Sequence, residues 1–295
     1  KYGQNNIFYL SAHKNHFNDA LEDYNIKINN LRTEISYFGF RLWHLLSSKR
    51  KLLSKNSIEK FDLIIDLQSK LRNTLVLKQI PNIHFYSSTF NFKFCSTHKD
   101  YISTKYDNNK ILLNVEKLLN DTIVSKKYNT DLIDDKYFTE AKRLLPDSNY
   151  IGFSITQGNA YRKKSWPIEK FLSVAKKISK QNKKPVFFIE RNNFDLINKI
   201  TREIKNVLIP ELESNLSGPP LVTALSKRLE KAISIDNGIM HMIGLADIPM
   251  IVLFGPTNSK KFSPKIKNIN ILDSKILYNS EEISKIKEQD VLNLI

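Results

Sequence analysis

The chain has 295 residues, 41% of them hydrophobic, which is enough for about two domains with packed cores. One cysteine, Cys95, excludes an internal disulfide framework and a multi-cysteine metal site, and no apolar run is long enough to span a membrane. The formal net charge of +16 favours polyanionic partners: nucleic acid, an anionic membrane surface or phosphate-bearing substrates. These features predict a soluble, cytoplasmic protein.

Strands and helices alternate in the N-terminal half, which predicts an open parallel sheet. Short apolar runs bounded by polar residues indicate buried strands, and a stretch with helical spacing follows each of the first two. The predicted strands are residues 6–11, 61–67 and 83–87, and the predicted helices are residues 19–25 and 70–80.

A basic segment lies between the first two predicted strands. The apolar stretch 38–46 is followed directly by the basic run 48–51 (SKRK). Basic amphipathic segments of this kind can lie on an anionic membrane surface. Most other lysines are scattered over predicted helix faces, where they serve solubility. An anionic membrane is therefore a predicted partner, with a peripheral location on the inner membrane.

The C-terminal half repeats the alternation more regularly. Residues 96–147 are polar with helical spacing, and the turn at residues 146–148 is the predicted boundary between a domain 1–147 and a domain 148–295. Five strands and four helices then predict a doubly wound sheet, which binds ligands at the carboxyl ends of its strands. The predicted strands are 150–156, 185–190, 231–235, 250–254 and 268–272, and the predicted helices are 168–180, 194–204, 221–229 and 238–246.

The most informative segment is residues 233–241 (ISIDNGIMH), a strand whose polar end opens a helix. Asp236 is at the predicted strand end, and Asn237 and Gly238 form the start of the helix. Unpaired N–H groups and the helix dipole attract anions there, and glycine allows a diphosphate to approach the backbone. His241, one turn later, can donate to the same phosphate. In isolation, a capping asparagine and a structural histidine would explain the segment equally well.

Two further segments lead to the same predicted edge of the sheet. Residues 251–257 form a buried strand that ends in a Gly-Pro turn, with the hydroxyl of Thr257 at its exit. Residues 158–167 form a basic loop after the first strand of this half, and Pro167 suits the start of the next helix. Lys164 in this loop can neutralise a phosphate as a point charge, although exposed loop lysines are usually only solvated.

Together, the segments 164–167 (KSWP), 236–241 (DNGIMH) and 253–257 (LFGPT) resemble glycosyltransferase family 9, the lipopolysaccharide heptosyltransferases. Residues 61–68 (FDLIIDLQ) are similar to a strand of that family that ends in an Asp-Leu-Gln turn. The resemblance implies an α/β protein of the GT-B fold, with two Rossmann-like doubly wound domains facing across a cleft. The N-terminal domain would hold the acceptor, and the C-terminal domain an ADP-linked heptose.

The resemblance further implies an inverting transfer that needs no metal and no other cofactor. The implied partners are a nucleotide-sugar donor and a lipid-linked saccharide such as a lipopolysaccharide core. Lys164 would neutralise the departing diphosphate, Asp236 would hold donor sugar hydroxyls, and Gly238 and His241 would line the phosphate site, which stabilises charge on the leaving group. The predicted donor-binding set is Lys164, Asp236, Asn237, Gly238, His241 and Thr257.

The sequence departs from the family pattern in two places. Asn237 stands where the family usually has Thr or Ser, which keeps a polar cap but loses the hydroxyl. The family also begins with a strand and a Gly-Asp loop whose aspartate is the proposed general base. Nothing here matches that loop, so we expect the first β-α unit to be missing and the base to lie within it. Asp66, at a predicted strand end, is better explained as a structural residue.

Two other hypotheses stay open at this point. The chain could be a catalytically incomplete fragment that binds a nucleotide-sugar, or a basic nucleic-acid-binding protein. The latter needs a basic stripe interleaved with exposed aromatic residues. Most of the 12 tyrosines and 17 phenylalanines fall within apolar runs instead. Nucleic acid is therefore not an expected partner.

Overall fold

The computed structural model describes residues 6–10, 29–30, 45–46, 59–68, 70–96, 130–158 and 160–295. The chain divides into two compact units. The described residues up to Ser96 belong to an N-terminal unit, and those from Thr130 onwards belong to a C-terminal unit. The helix over residues 135–144 belongs to the C-terminal unit and packs within it against the helix over residues 219–226. The predicted boundary at residue 147 stays a prediction.

The described residues of the N-terminal unit form two pairs of parallel strands. In the larger pair the predicted β-α-β alternation is confirmed, and Val76 and Ile80 of the connecting segment pack against Phe61 and Ile64. The predicted first strand is present only over two residues, whereas the predicted helix 19–25 and the basic run 48–51 lie outside the described residues. The elements are β1 (Phe8–Tyr9), β2 (Asn29–Asn30), β3 (Phe61–Asp66), α1 (Leu71–Lys78) and β4 (Asn82–Ser87).

The C-terminal unit is built on one parallel sheet of five strands in the order β6-β5-β7-β8-β9. Helices alternate with the strands, as a doubly wound sheet requires. Its strands are β5 (Tyr150–Ser154), β6 (Lys184–Phe188), β7 (Lys231–Ile235), β8 (Met250–Phe254) and β9 (Ile269–Asp273). Its helices are α2 (Asp135–Leu144), α3 (Ile168–Ser179), α4 (Phe194–Glu203), α5 (Pro210–Glu213), α6 (Pro219–Ser226), α7 (Gly238–Leu245), α8 (Ser259–Phe262), α9 (Ser274–Tyr278) and α10 (Glu288–Leu292).

Apolar residues on both faces explain why these runs become central strands. Every residue of β8 is buried, which is typical of a parallel strand covered by helices on both faces. Phe153 of β5 stacks on Phe187 of β6 with 4.7 Å between ring centroids. Phe171 of α3 meets Trp166 edge to face at 4.8 Å. The core of this unit therefore extends from the sheet to the loop that precedes α3.

The elements that the sequence did not predict are short. Helices α5, α8, α9 and α10 have four or five residues each. Helix α6 starts at Pro219, two residues before the predicted start, because Gly218 takes a φ of 90° and prolines fit the first helical turn. Within the described ranges, no helix is long and apolar enough to cross a membrane.

Candidate functional site

The strand order places a topological switch point between β5 and β7. The chain passes from β5 to β6 on one side and returns to β7 on the other side of β5. Loops that leave the carboxyl ends of two such strands diverge, and ligands bind in the crevice between them. Lys164 lies in the loop after β5, and Asp236 follows β7 directly. Residues from two separate predicted motifs therefore meet at one edge of the sheet.

Lys164 and Asp236 form an ion pair at this switch point. The Nζ atom of Lys164 donates to Oδ2 of Asp236 and lies 3.5 Å from the Asp236 carbonyl oxygen. The two side chains are only 12% and 8% exposed. Charges this far from water need a partner, because each would be costly to desolvate alone. The structure thus brings together the two charged residues of the predicted donor site.

The loop around Lys164 is fixed on both sides. Its backbone N–H donates to Oε1 of Gln157 at 2.8 Å, which closes the loop onto itself. Lys163 has a φ of 46°, a left-handed conformation that turns the chain just before Lys164. Trp166 is 2% exposed, and its Nε1 donates to the carbonyl of Ile286 at 3.0 Å. Packing and hydrogen bonds therefore hold the backbone of Lys164 before any ligand arrives.

Asn237 caps helix α7 and ties it to β5. Its Oδ1 accepts from the backbone N–H of Met240 at 2.8 Å, as an N-cap side chain does. Its Nδ2 donates to Ser154 Oγ at 2.7 Å and to the carbonyl of Thr156 at 2.8 Å. Both polar atoms are engaged within the protein. Asn237 therefore has a structural role in the cap and in the link to β5. Its contact with a nucleotide-sugar stays a prediction.

Gly238 leaves space in front of helix α7. Apart from its two chain neighbours and the nearby backbone of its own helix, no atom in the described ranges lies within 4 Å of the position that a Cβ atom would occupy at this residue. The first N–H groups of a helix have no partner within it, and the capping side chain of Asn237 takes only that of Met240. The helix dipole adds partial positive charge at the same end. The geometry is suited to an anion close to the backbone.

His241 lies one turn along α7 from this opening. Its side chain is accessible to solvent, yet enough protein surrounds the imidazole that desolvation lowers its pKa. The negative charge of Asp236 acts to raise that pKa, and the positive charge of Lys164 acts to lower it. A neutral imidazole keeps one N–H donor, so His241 can still donate to a bound anion.

Thr257 follows β8, the next strand of the sheet. Its Oγ1 atom is buried and has no hydrogen-bond partner in the described part of the chain. The preceding turn needs Gly255, since a Cβ atom there would lie 2.8 Å from Ile283 Cβ and 2.9 Å from the Glu281 carbonyl oxygen. Contact between Thr257 and a donor stays a prediction.

Three other acidic residues at or after strand ends differ in their surroundings. Asp66, at the end of β3, is 2% exposed and accepts hydrogen bonds from the hydroxyls of Thr74 and Ser87, at 2.6 and 2.9 Å. Glu190 and Asp195, which follow β6, are both exposed. Within the described residues, no group of three or more His, Cys, Asp and Glu side chains is arranged to hold a metal ion.

Glu211 is an acid that the sequence did not single out. Burial raises its pKa to about 7. Backbone hydrogen bonds from its own N–H and from Ile189, and the positive charge of Arg191, act to lower the pKa but are weaker than the effect of burial. Its Oε2 atom is buried without a hydrogen-bond partner among the described residues. Nothing in the segment 210–213 (PELE) distinguishes it from a solvated helix start. The sequence also did not single out Ser154 and Gln157, whose hydrogen bonds to Asn237 and Lys164 support the site.

A sequence model of glycosyltransferase family 9 (heptosyltransferase) matches residues 49–292, which include every residue of this site. The chain belongs to glycosyltransferase family 9. The predicted family and the predicted enzyme class, a glycosyltransferase, are confirmed. A search of curated proteins finds no match.

Solved structures share the fold of this family 9 glycosyltransferase. A family 9 glycosyltransferase from Veillonella parvula is 20% identical, with a TM-score of 0.64 over 98% of this chain and 86% of that one. The E. coli heptosyltransferase WaaC with ADP is 14% identical, with a TM-score of 0.61 over 92% and 84%. The E. coli ADP-heptose lipopolysaccharide heptosyltransferase II is 16% identical, with a TM-score of 0.54 over 93% and 84%. The predicted α/β fold of the GT-B class is confirmed.

Proposed function

We propose that this family 9 member transfers a heptose, or a related sugar, from an ADP-linked donor to a lipopolysaccharide core or a similar lipid-linked saccharide. The observation that supports it most is the buried pair of Lys164 and Asp236 at the switch point, beside the open N-terminus of α7. The similar protein WaaC was solved with ADP and with ADP-2-deoxy-2-fluoro heptose, which favours an ADP-linked donor here.

Each proposed donor contact follows from the chemistry of its residue. The donor diphosphate accepts hydrogen bonds from the backbone at Gly238 and takes the positive charge of Lys164. His241 donates one N–H to the same group, and Asp236 accepts hydrogen bonds from the sugar hydroxyls. As the bond to the sugar breaks, negative charge grows on the departing diphosphate. These fixed donors stabilise that charge and lower the barrier to transfer.

The proposed transfer inverts the anomeric carbon and uses neither a metal nor another cofactor. Lys164 and the N-terminus of α7 supply positive charge at the diphosphate. A general base must take the proton of the acceptor hydroxyl. We do not assign it to Asp66, because the carboxylate of that residue is buried and bound by hydroxyl groups of its own unit.

The proposed acceptor also gives the net charge a role. A lipid-linked saccharide lies at the surface of an anionic membrane, and a charge of +16 holds the protein near such a surface. We therefore propose a cytoplasmic enzyme that binds the inner membrane peripherally and has no nucleic-acid partner.

A transfer assay tests the proposal directly. The chain is mixed with ADP-heptose and a heptose-free lipopolysaccharide core in the presence of EDTA, and both ADP release and acceptor mass are measured. We expect one added heptose per ADP released, loss of both with Lys164→Ala, and weaker turnover with UDP- and GDP-linked sugars. Binding of ADP without transfer to any acceptor would support a nucleotide-sugar-binding protein instead. Absence of both would contradict the donor assignment.

A further inference from the structure

Lys164 and Asp236 depend on each other in the free protein. The only side-chain partner of the Lys164 ammonium within the described ranges is the Asp236 carboxylate, and the converse also holds. Any anion that takes the charge of Lys164 therefore competes with Asp236. The pair is a resting arrangement that ligand binding has to change.

Binding of a nucleotide affects the Lys164 ammonium and the Asp236 carboxylate differently. A diphosphate gives Lys164 a new anionic partner, so the ammonium stays compensated. Asp236 is then left buried beside added negative charge, which is unfavourable for a carboxylate without a partner. A ligand that also brings hydroxyl donors to Asp236 removes this penalty. An intact nucleotide-sugar has such donors, and a free nucleoside diphosphate has none at that position.

The backbone of Lys164 limits how this exchange can occur. Gln157 fixes the N–H of Lys164, and buried Trp166 anchors the chain two residues later. Asn237 holds the end of β5 to the start of α7. Both sides of the crevice are therefore fixed in the backbone. The change of partner falls to the side chains of Lys164 and Asp236.

We infer that Lys164 and Asp236 form an exchange pair that distinguishes an intact donor from the spent nucleotide. The inference rests on the proposed function and specifies how the same site is controlled. Donor binding moves Lys164 to the diphosphate and gives Asp236 to the sugar hydroxyls. Once the sugar has left, Asp236 recaptures Lys164 and weakens the hold on the nucleoside diphosphate. The carboxylate thus promotes product release.

Replacement of the carboxylate tests the exchange. Asp236→Asn keeps the shape of the side chain but removes the competing charge, so the Lys164 ammonium is left without an anion until ADP binds. Calorimetry measures the Kd of ADP and of ADP-2-deoxy-2-fluoro heptose for the wild type and the variant. We expect Asp236→Asn to bind ADP about tenfold more tightly. We expect the sugar nucleotide to gain less, so the preference of the wild type for the intact donor shrinks.

A matched control separates this effect from a general change of charge. Asp147 pairs with Lys184 near the opposite end of the strands, at the starts of β5 and β6, and its side chain is 59% exposed. Asp147→Asn adds the same unit of charge to the protein. We expect it to leave the Kd of both ligands unchanged. A similar gain in ADP affinity from this control would contradict the exchange.

The remaining outcomes distinguish the inference from the proposed function. Weaker or unchanged ADP binding by Asp236→Asn, with ADP bound by the wild type, contradicts the inference alone. No ADP binding by the folded wild type contradicts both. If Asp236→Asn does not fold, crystal structures of the wild type decide instead. In the complex with the fluorinated donor the Lys164–Asp236 contact must then be broken, with Asp236 hydrogen-bonded to hydroxyls of the sugar, and an unbroken contact there would contradict the inference.

Discussion

Each unit has an aspartate at the carboxyl end of a parallel strand, Asp66 as the last residue of β3 and Asp236 directly after β7, yet the two carboxylates have different partners. Asp66 in the N-terminal unit is held by hydroxyl groups of Thr74 and Ser87 and by the N–H of Gln68. Asp236 in the C-terminal unit is held by the ammonium of Lys164. Both are almost fully buried, so burial does not separate them.

We base the proposed distinction between a structural carboxylate and a donor-binding one on the chemistry of these partners. The described donors to Asp66 are two hydroxyls and one backbone N–H, and none of these three carries a positive charge that a phosphate could take. A lysine beside an open helix start can exchange its carboxylate for a phosphate. A polar residue at a strand end is therefore only a candidate until its neighbours are known.

The largest expected effect is on turnover by Lys164→Ala. Loss of the ammonium removes the charge that the proposed mechanism places on the departing diphosphate. We expect the rate of sugar transfer to fall by about 100-fold to 1,000-fold. Lys184→Ala, which removes a lysine paired with Asp147 away from the site, serves as the control and should keep the wild-type rate. Equal rates for the two variants would contradict a role of Lys164 in transfer, because its loss would then matter no more than the loss of a surface lysine.

Asp66→Ala tests the structural side of the comparison. It leaves Thr74 and Ser87 without their buried acceptor, and we expect the free energy of unfolding of the N-terminal unit to fall by about 3 kcal/mol. Hydrogen exchange in β3 and β4 measures this loss. The exposed neighbour Asp62→Ala should cause little change. A fall in ADP affinity, with no loss of stability, would mean that Asp66 belongs to the donor site.

Glu211 is a further acid with a buried carboxyl oxygen, Oε2, which has no hydrogen-bond partner in the described part of the chain. Its pKa is raised from 4.5 to about 7, so the folded chain keeps a proton that the unfolded chain loses. This proton stabilises the folded state fully below pH 4.5, and the stabilisation is lost as the pH rises through 7. The free energy of unfolding falls by about 2 to 3 kcal/mol over this range. We expect Glu211→Gln to flatten this dependence, measured by urea unfolding at pH 5 and pH 8. Glu213→Gln, an exposed neighbour, should retain it.

The smallest expected effect concerns the cap of α7. Asn237→Ala removes the cap and the links to β5, and we expect a loss of about 1 to 2 kcal/mol in thermal unfolding. Asn237→Ser should restore the cap but not the amide links to β5, and therefore only part of the loss. Asn258→Ala removes a comparable cap from α8 without such links and should cost less. Equal losses for the two alanine variants would show that the links to β5 add nothing.

Alternating apolar runs and helical stretches were enough to predict the C-terminal sheet. Strand β8 was predicted residue for residue, because five consecutive apolar residues between turns have few alternatives, and β9 was predicted within one residue. The short helices α5 and α8 were not predicted, since four residues do not show a periodicity.

The residues of the site were easier to predict than their contacts. Lys164, Asp236 and Gly238 were found because each follows a strand end in a recognisable motif. The support from Gln157 and Ser154 was missed, since it depends on loops and strands that meet only in the folded chain. The raised pKa of Glu211 has the same origin, because burial is a property of the surrounding structure.

Calorimetric titration of ADP into the wild type, Lys164→Ala and the control Lys184→Ala tests the central claim most directly. The claim is that the switch point of the C-terminal unit holds a nucleoside diphosphate through Lys164. We predict saturable binding by the wild type and by Lys184→Ala, and at least about tenfold weaker binding by Lys164→Ala. No ADP binding by the folded wild type, or equal affinity for Lys164→Ala, would contradict it.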